Sequence, residues 1–208
     1  MATIRIGTTN AGKLREFRQM LEPMGFTVLG LEGVENFDVV EDGQTFAQNA
    51  IKKARTLMEL TGEPAVADDS GLVVDALGGA PGIHSARYAA ARAGEFEGDV
   101  DAANRAQLYE ALNGVPDSER TARFVCELAF CAPGESPLTL RGVVEGTINR
   151  RERGSNGFGY DPMFVLDGDT RTTAELPPEE KNAISHRGKA LRKLVSYLRD
   201  RGLVTRRT

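Results

Sequence analysis

Apolar positions along this chain follow two rhythms, one of period two and one of about 3.6, and the switches between them predict an α/β protein with a mixed sheet. Thr3 to Gly7 alternate as a short strand. Leu14, Phe17, Leu21 and Met24 then recur at helical spacing behind Asn10, which sits where an N-cap belongs. Thr45 marks a second N-cap, followed by Phe46, Ala50, Ala54, Leu57 and Leu60 on one face, with Gly62 beyond the end. Pro64 to Ala67 predict a short apolar strand ending in Asp68-Asp69-Ser70-Gly71, where the glycine lets the chain turn sharply. A further apolar run, Leu72 to Leu77, leads into the turn-rich Gly78-Gly79-Ala80-Pro81-Gly82. After a polar stretch, a helix is expected over 101–113, closed by Gly114 and Pro116. Residues 121–132 alternate strongly, with Ala122, Phe124, Cys126, Leu128 and Phe130 on one face, and pair as an antiparallel hairpin with a strand over 138–148. Arg150 to Asp161 is too rich in glycine for a regular element and reads as a ligand clamp. Pro177 and Pro178 open the last helical stretch, and Ala190, Leu191, Leu194, Tyr197 and Leu198 give a final amphipathic helix.

Composition narrows the class. A chain of 208 residues fits one large domain, 1–208, or two small lobes sharing a sheet. With 40% hydrophobic and 27% charged residues, no apolar run approaches the ~18 that a membrane span requires. The opening MATIRIGTT reads as a strand and lacks the apolar core of a secretory signal, so a cytoplasmic location is expected. The net charge of -4 argues against direct nucleic-acid binding. From Lys181 onward nine Lys/Arg face one acid, Asp200, which reads as a solvated helix face whose outer members include Arg199, Arg201, Arg206 and Arg207. Cys126 and Cys131 are an odd number apart in a strand-like run, so they point to opposite faces as structural thiols. Two histidines and no C-x-x-C argue against a zinc site, and any metal is expected to be a hard ion held by carboxylates, magnesium being the natural candidate.

Several stretches carry candidate chemistry, each with a plainer structural alternative. Gly7 to Lys13 fits G-x-x-x-x-G-K, the phosphate loop of P-loop NTPases, but Leu14 stands where that loop needs Ser or Thr. A strand-to-helix turn over Thr8 to Lys13 gathers free N–H groups and a lysine for an anion; alternatively Asn10 merely caps a helix. In ADDSG, Asp68 and Asp69 diverge as strand neighbours, so one can face a metal or activate water while the other orients a partner; turn and cap duty is the alternative. Glu41-Asp42 adds carboxylates ahead of the second helix, whose Asn49, Lys52 and Lys53 are ambiguous. In GSNGFGYDP, Phe158 and Tyr160 suit stacking on a flat ring, or are core aromatics beside a turn. Lys181, His186 and Arg187 are positioned to reach a base or a phosphate, although a lone histidine is more often structural.

Taken together these residues resemble the inosine triphosphate pyrophosphatase family. Thr8-Thr9-Asn10-Ala11-Gly12-Lys13 matches that family's [ST]-x-N-x-x-K, and Phe46, Asn49, Ala50 and Lys53 match its F-x-x-N-A-x-x-K-A. ADDSGLVVDALGGAPGIHSARYA, GFGYDPMF and AELPPEEKNAISHRGKAL follow in family order; Arg150 to Arg153 and the tail Val204 to Thr208 lie outside the motifs. The resemblance implies an elongated mixed β-sheet with flanking helices, two lobes around a nucleotide cleft, in a homodimer. It implies Mg²⁺-dependent hydrolysis of ITP, dITP and XTP to the monophosphate and pyrophosphate. Thr8, Thr9, Asn10, Ala11, Gly12 and Lys13 are then expected at the triphosphate, Asp69 as general base and metal ligand, and Glu41 with Asp68 around the metal. Ser70, Phe158, Gly159, Tyr160, Asp161, Lys181, His186 and Arg187 are expected to hold the nucleotide, with Arg187 or loop amides reading the 6-keto group. Two readings compete with it: a P-loop ATPase releasing γ-phosphate, and a nucleotide sensor or RNA-binding protein without turnover.

Overall fold

Strand β1, Ala2–Ile6, turns Ile4 and Ile6 inward and pairs in parallel with β2, Phe26–Leu29, which buries Phe26 and Val28. The structure, a computed structural model, describes residues 2–93 and 98–202. Arg206, Arg207 and the tail Val204 to Thr208 fall outside the described residues. Periodicity alone assigns no element to 25–44, because a four-residue strand is too short to register; β1 supplies the ladder that fixes β2. Between them helix α1, Ala11–Leu21, begins where the Asn10 side chain accepts the Lys13 N–H at 2.9 Å.

Helix α2, Phe46–Thr61, is capped by Thr45 and ends at Gly62, whose φ of 68° is the left-handed conformation that favours glycine. Its inner face is Asn49, Ala50, Lys53, Ala54 and Leu57; Leu60, in the last turn, is exposed and leaves that face. Strand β3 then runs unbroken over Ala65–Val74. The sharp turn expected at Gly71 does not form. Asp68 and Asp69 are buried in the strand, and basic partners compensate both, so tertiary contacts override the turn preference of Asp-Asp-Ser-Gly. The polar stretch beyond it contains a short helix α3, Tyr88–Ala93, before α4, Val100–Ala111, capped by Asp99.

Strands β4, Thr121–Cys131, and β5, Leu138–Ile148, are neighbours, and β6, Phe164–Leu166, pairs antiparallel with β5. The described strands form one mixed sheet of six in the order β2-β1-β3-β4-β5-β6, flanked by helices. The described residues close with two helices, because extended Ser185 separates α5, Pro178–Ile184, from α6, His186–Asp200.

Two units divide the chain. The first comprises Met1–Asp69, Cys126–Gly142 and His186–Thr208. Its larger core joins Phe17 and Leu21 of α1, strand residues such as Ile6 and Leu128, and Leu191, Leu194 and Leu198 of α6. A smaller core seats Ala50 and Ala54 of α2 against Ala67, Ala129 and Cys131, small side chains that let helix and sheet approach closely. Cys126 and Cys131 accordingly sit in different cores, both as free, buried thiols. The second unit, Ser70–Val125 and Val143–Ser185, is centred on Leu72, Leu108, Met163 and Leu176, with the Phe124 and Phe164 rings 4.6 Å apart.

Candidate active site

The pleat of β3 sends Asp68 and Asp69 in opposite directions, and each meets a different set of partners in the first unit. Asp68 is 1% exposed and faces two cations: Lys13 Nζ at 3.1 Å, and Arg187, whose Nη2 and Nε lie 2.9 and 3.3 Å from its Oδ2. Burial alone disfavours its charge. Lys13, then Arg187 and Lys53, outweigh that effect and hold the carboxyl far below the ordinary carboxylate range. Arg187, itself buried, also donates through Nη1 to the buried carboxylate of Glu16. Cys126 Sγ lies 4.0 Å from Asp68, and burial beside that anion pushes its thiol far upward, so it is a poor nucleophile.

Asp69 occupies a less compensated setting. Its Oδ2 accepts from Asn49 Nδ2 at 3.0 Å, and its Oδ1 is 3.6 Å from Lys53 Nζ, which also lies 3.1 Å from Glu41 Oε2. Burial raises the proton affinity of Asp69; Lys53, Lys13 and the Asn49 amide oppose it, Glu41 reinforces it, and the balance stays upward. Asn49 also fixes the approach of the Glu41 segment, because its Oδ1 accepts the Gly43 N–H at 2.8 Å. A Cβ on Gly43 would stand 2.5 Å from that oxygen, so the close approach requires glycine. Thr8 to Lys13 form the β1–α1 turn, in which Asn10 N–H donates to Thr8 Oγ1 at 3.2 Å and the Lys13 amide is taken by the cap. Leu14 packs against the apolar core, so the position that carries a hydroxyl in a P-loop faces inward here.

A metal fits only in a restricted way. Among the described residues no three His, Cys, Asp or Glu side chains are disposed to hold an ion. Asp69 and Glu41, hard oxygen donors gathered around one lysine, suit an ion that takes one or two carboxylates and fills the rest of its shell with water and phosphate oxygens, as Mg²⁺ does. Asp68 Oδ1 is buried without a hydrogen bond and is the further oxygen of this kind.

In the second unit the glycine-rich loop is held by Asp161. Its Oδ2 accepts from Lys181 Nζ at 2.7 Å and from the Phe158 amide at 2.9 Å, and its Oδ1 accepts from Thr173 Oγ1 at 2.9 Å. Gly157 is needed twice over, by a φ of +79° and because a Cβ there would lie 2.1 Å from Asp161 Oδ2. Lys181 Nζ stands 5.1 Å from the centre of the half-buried Phe158 ring. Tyr160 belongs to the apolar core and its hydroxyl donates to Ser85 O at 2.9 Å, which leaves Phe158 as the aromatic with surface to offer a flat ligand.

A sequence model of the Ham1 family matches residues 4–197. The chain belongs to the Ham1 family. A protein of Geobacter sulfurreducens named dITP/XTP pyrophosphatase is 48% identical over 204 residues, 98% of this chain and 100% of its own. One of the same name from Escherichia coli O157:H7 is 46% identical over 96% of this chain and 100% of its own. Among solved structures, a HAM1 protein from Coxiella burnetii superposes with a TM-score of 0.84 at 42% identity, covering 96% of this chain and all of that one. The Ham1 protein of Staphylococcus aureus gives 0.82 at 38% identity, covering 96% and 99%. The six-stranded mixed sheet is therefore the Ham1 fold.

Within this Ham1 protein the structure gathers Lys13, Glu41, Asp68, Asp69 and Arg187 into one charged cluster, and Phe158 to Asp161 with Lys181 into another. Ser70 follows Asp69 in β3, while Ser185 and His186 are buried where α5 gives way to α6. The donors expected to read a 6-keto oxygen are engaged elsewhere: Arg187 with Asp68 and Glu16, the Phe158 amide with Asp161, and the Gly159 amide with Asp101 at 2.8 Å. Reading residues one segment at a time misses Glu16, Asp101 and Arg105. A signal for Glu16 existed in its place one turn after Lys13 on α1, a spacing at which side chains share a helix face.

Proposed function

We propose that this protein hydrolyses the non-standard purine triphosphates ITP, dITP and XTP to the monophosphate and pyrophosphate, removing deaminated purines from the nucleotide pool. The observation that carries the reading is the pair of adjacent acids on β3 with opposite surroundings, in a Ham1 chain whose relatives bear that activity in their names. Asp68 is a permanent anion that organises Lys13 and Arg187. Asp69, with proton affinity raised by burial, takes a proton from the water that attacks the α-phosphorus while pyrophosphate departs. Asn49 and Lys53 hold its carboxylate in place. The β1–α1 turn, Thr8 to Gly12, receives the triphosphate, and Lys13 neutralises charge gathering on the leaving group. Mg²⁺, held by Asp69 and Glu41 with Asp68 as the further candidate, would supply charge neutralisation across the phosphates.

The purine is assigned to the Phe158 ring and Gly159, in a loop that Asp161, Lys181 and the buried Tyr160 hold in place, with Ser70 and His186 completing the nucleotide contacts and Arg187 acting from behind as the counter-ion of Asp68. The active species is proposed to be a homodimer. Product analysis with ITP, XTP, GTP and ATP in Mg²⁺ tests the reading, with Asp69→Asn alongside. Pyrophosphate from ITP and XTP, and a fall in kcat of about 10²- to 10⁴-fold in the variant, are expected for loss of a general base. Orthophosphate from ATP would overturn the reading in favour of γ-phosphate release, and binding without turnover would make it a sensor.

A further inference from the structure

Gly159, in the loop assigned to the purine, has both of its backbone hydrogen-bonding groups taken by side chains of a single helix. Its N–H donates to Asp101 Oδ2 at 2.8 Å, and its carbonyl accepts from Arg105 Nη1 at 3.0 Å. Asp101 lies in the first turn of α4 and Arg105 four residues later, so the two emerge one above the other from the same face. Both bonds have a charged partner, which makes them stronger than ordinary backbone pairings. They act on a residue with φ of +62°, a conformation that the chain does not adopt by default. The residues on either side are fixed independently, Phe158 through its amide to Asp161 and Tyr160 through its hydroxyl to Ser85. Arg105 is itself steadied by Glu152, whose Oε1 lies 3.0 Å from its Nε, near enough for an ion pair though not aligned as a hydrogen bond. That contact gives a role to the Arg150 to Arg153 stretch, which none of the sequence motifs covers.

We propose that Asp101 and Arg105 are positioning residues for purine selection: Asp101 holds the Phe158–Gly159 peptide by its N–H and Arg105 the Gly159–Tyr160 peptide by its carbonyl, and together they fix the attitude of the loop and of the Phe158 ring offered to the base. This inference rests on the functional reading above. A selective site separates inosine from adenine only if its groups are held where one ring edge satisfies them and the other does not. A loosened loop adapts to both. Simple loss of folded protein lowers turnover of every nucleotide in equal proportion, whereas loss of positioning narrows the ratio between them.

The test is steady-state kinetics of the native enzyme, Asp101→Ala, Asp101→Asn and Arg105→Ala with ITP, XTP, GTP and ATP, each protein checked by thermal melting. Deleting one charge-assisted bond should lower the ratio of kcat/KM for ITP over ATP about tenfold, chiefly through a higher KM for ITP. Asp101→Asn keeps an acceptor for the Gly159 amide but not its charge, so it should lie between native and Asp101→Ala, about threefold below native. Should the Ala variants fail to melt cooperatively, Asp101→Asn decides: a reduced ratio supports the positioning role and a native ratio overturns it. Folded Ala variants that keep the native ratio, or lose activity equally toward all four nucleotides, overturn it while leaving the proposed function intact. A native enzyme with no preference for ITP and XTP would remove the functional reading and this inference together.

Discussion

Replacing Arg187 by Met separates two roles for that residue, a reader of the base and a buried counter-ion. In the structure it is 2% exposed, its guanidinium donates twice to Asp68 and once to Glu16, and both acids are themselves buried. Arg187→Met preserves much of the side-chain volume but withdraws the charge, leaving Asp68 to Lys13 and Glu16 without its guanidinium partner. Removing one member of a buried ion pair typically costs about 3–5 kcal/mol, and for a domain of this size each kcal/mol lowers Tm by about 2–4 °C, so a fall of about 6–20 °C is expected. Thermal unfolding by circular dichroism at pH 7 measures it. Glu16→Gln introduced together with Arg187→Met neutralises one stranded acid and should recover part of the loss. Lys13→Met is the contrast. Its side chain is more accessible, 14% against 2%, so its loss should lower Tm less while reducing turnover more. An Arg187→Met protein that melts within about 2 °C of native, with altered ITP-over-ATP selectivity, would refute the counter-ion reasoning and restore Arg187 as a reader of the base.

Glu127 and Gly157 give further tests. Burial pushes the Glu127 carboxyl above its ordinary range, only partly offset by Arg141 at 3.4 Å and by Lys193. Folded Glu127 therefore holds its proton more tightly than the unfolded chain does, and ionising it destabilises the fold. Below about pH 4, where both states are protonated, Glu127→Gln should match native stability, and as pH rises through the raised pKa the variant should become the more stable, read as Tm at pH 4 and pH 7.5. A less stable variant at pH 7.5 would show that the Arg141 pair outweighs burial. Gly157→Ala combines a positive φ with a Cβ driven into Asp161, so KM for ITP should rise and the ITP-over-ATP ratio should fall; native kinetics would show that the loop does not depend on this geometry.

Local signals settled much of this protein from sequence alone. Asn10 and Thr45 announced their helices because a side-chain cap satisfies donors within three residues, and the alternation of residues 121–132 set apart Cys126 and Cys131 because the pleat has period two. The same alternation correctly foretold that Asp68 and Asp69 would face different partners. Tertiary structure decided what those partners were, and so the character of each acid. Arg187 reaches Asp68 across 119 positions and Glu16 across 171, and Asp101 reaches Gly159 across 58, separations at which no periodic pattern survives. It also overrode two local signals, drawing Asp68-Asp69-Ser70-Gly71 out into a continuous strand and consigning Tyr160 to the core. Backbone conformation follows from neighbours in the chain; the charge and reach of a buried side chain follow from neighbours in space, which the chain fixes only once it has folded.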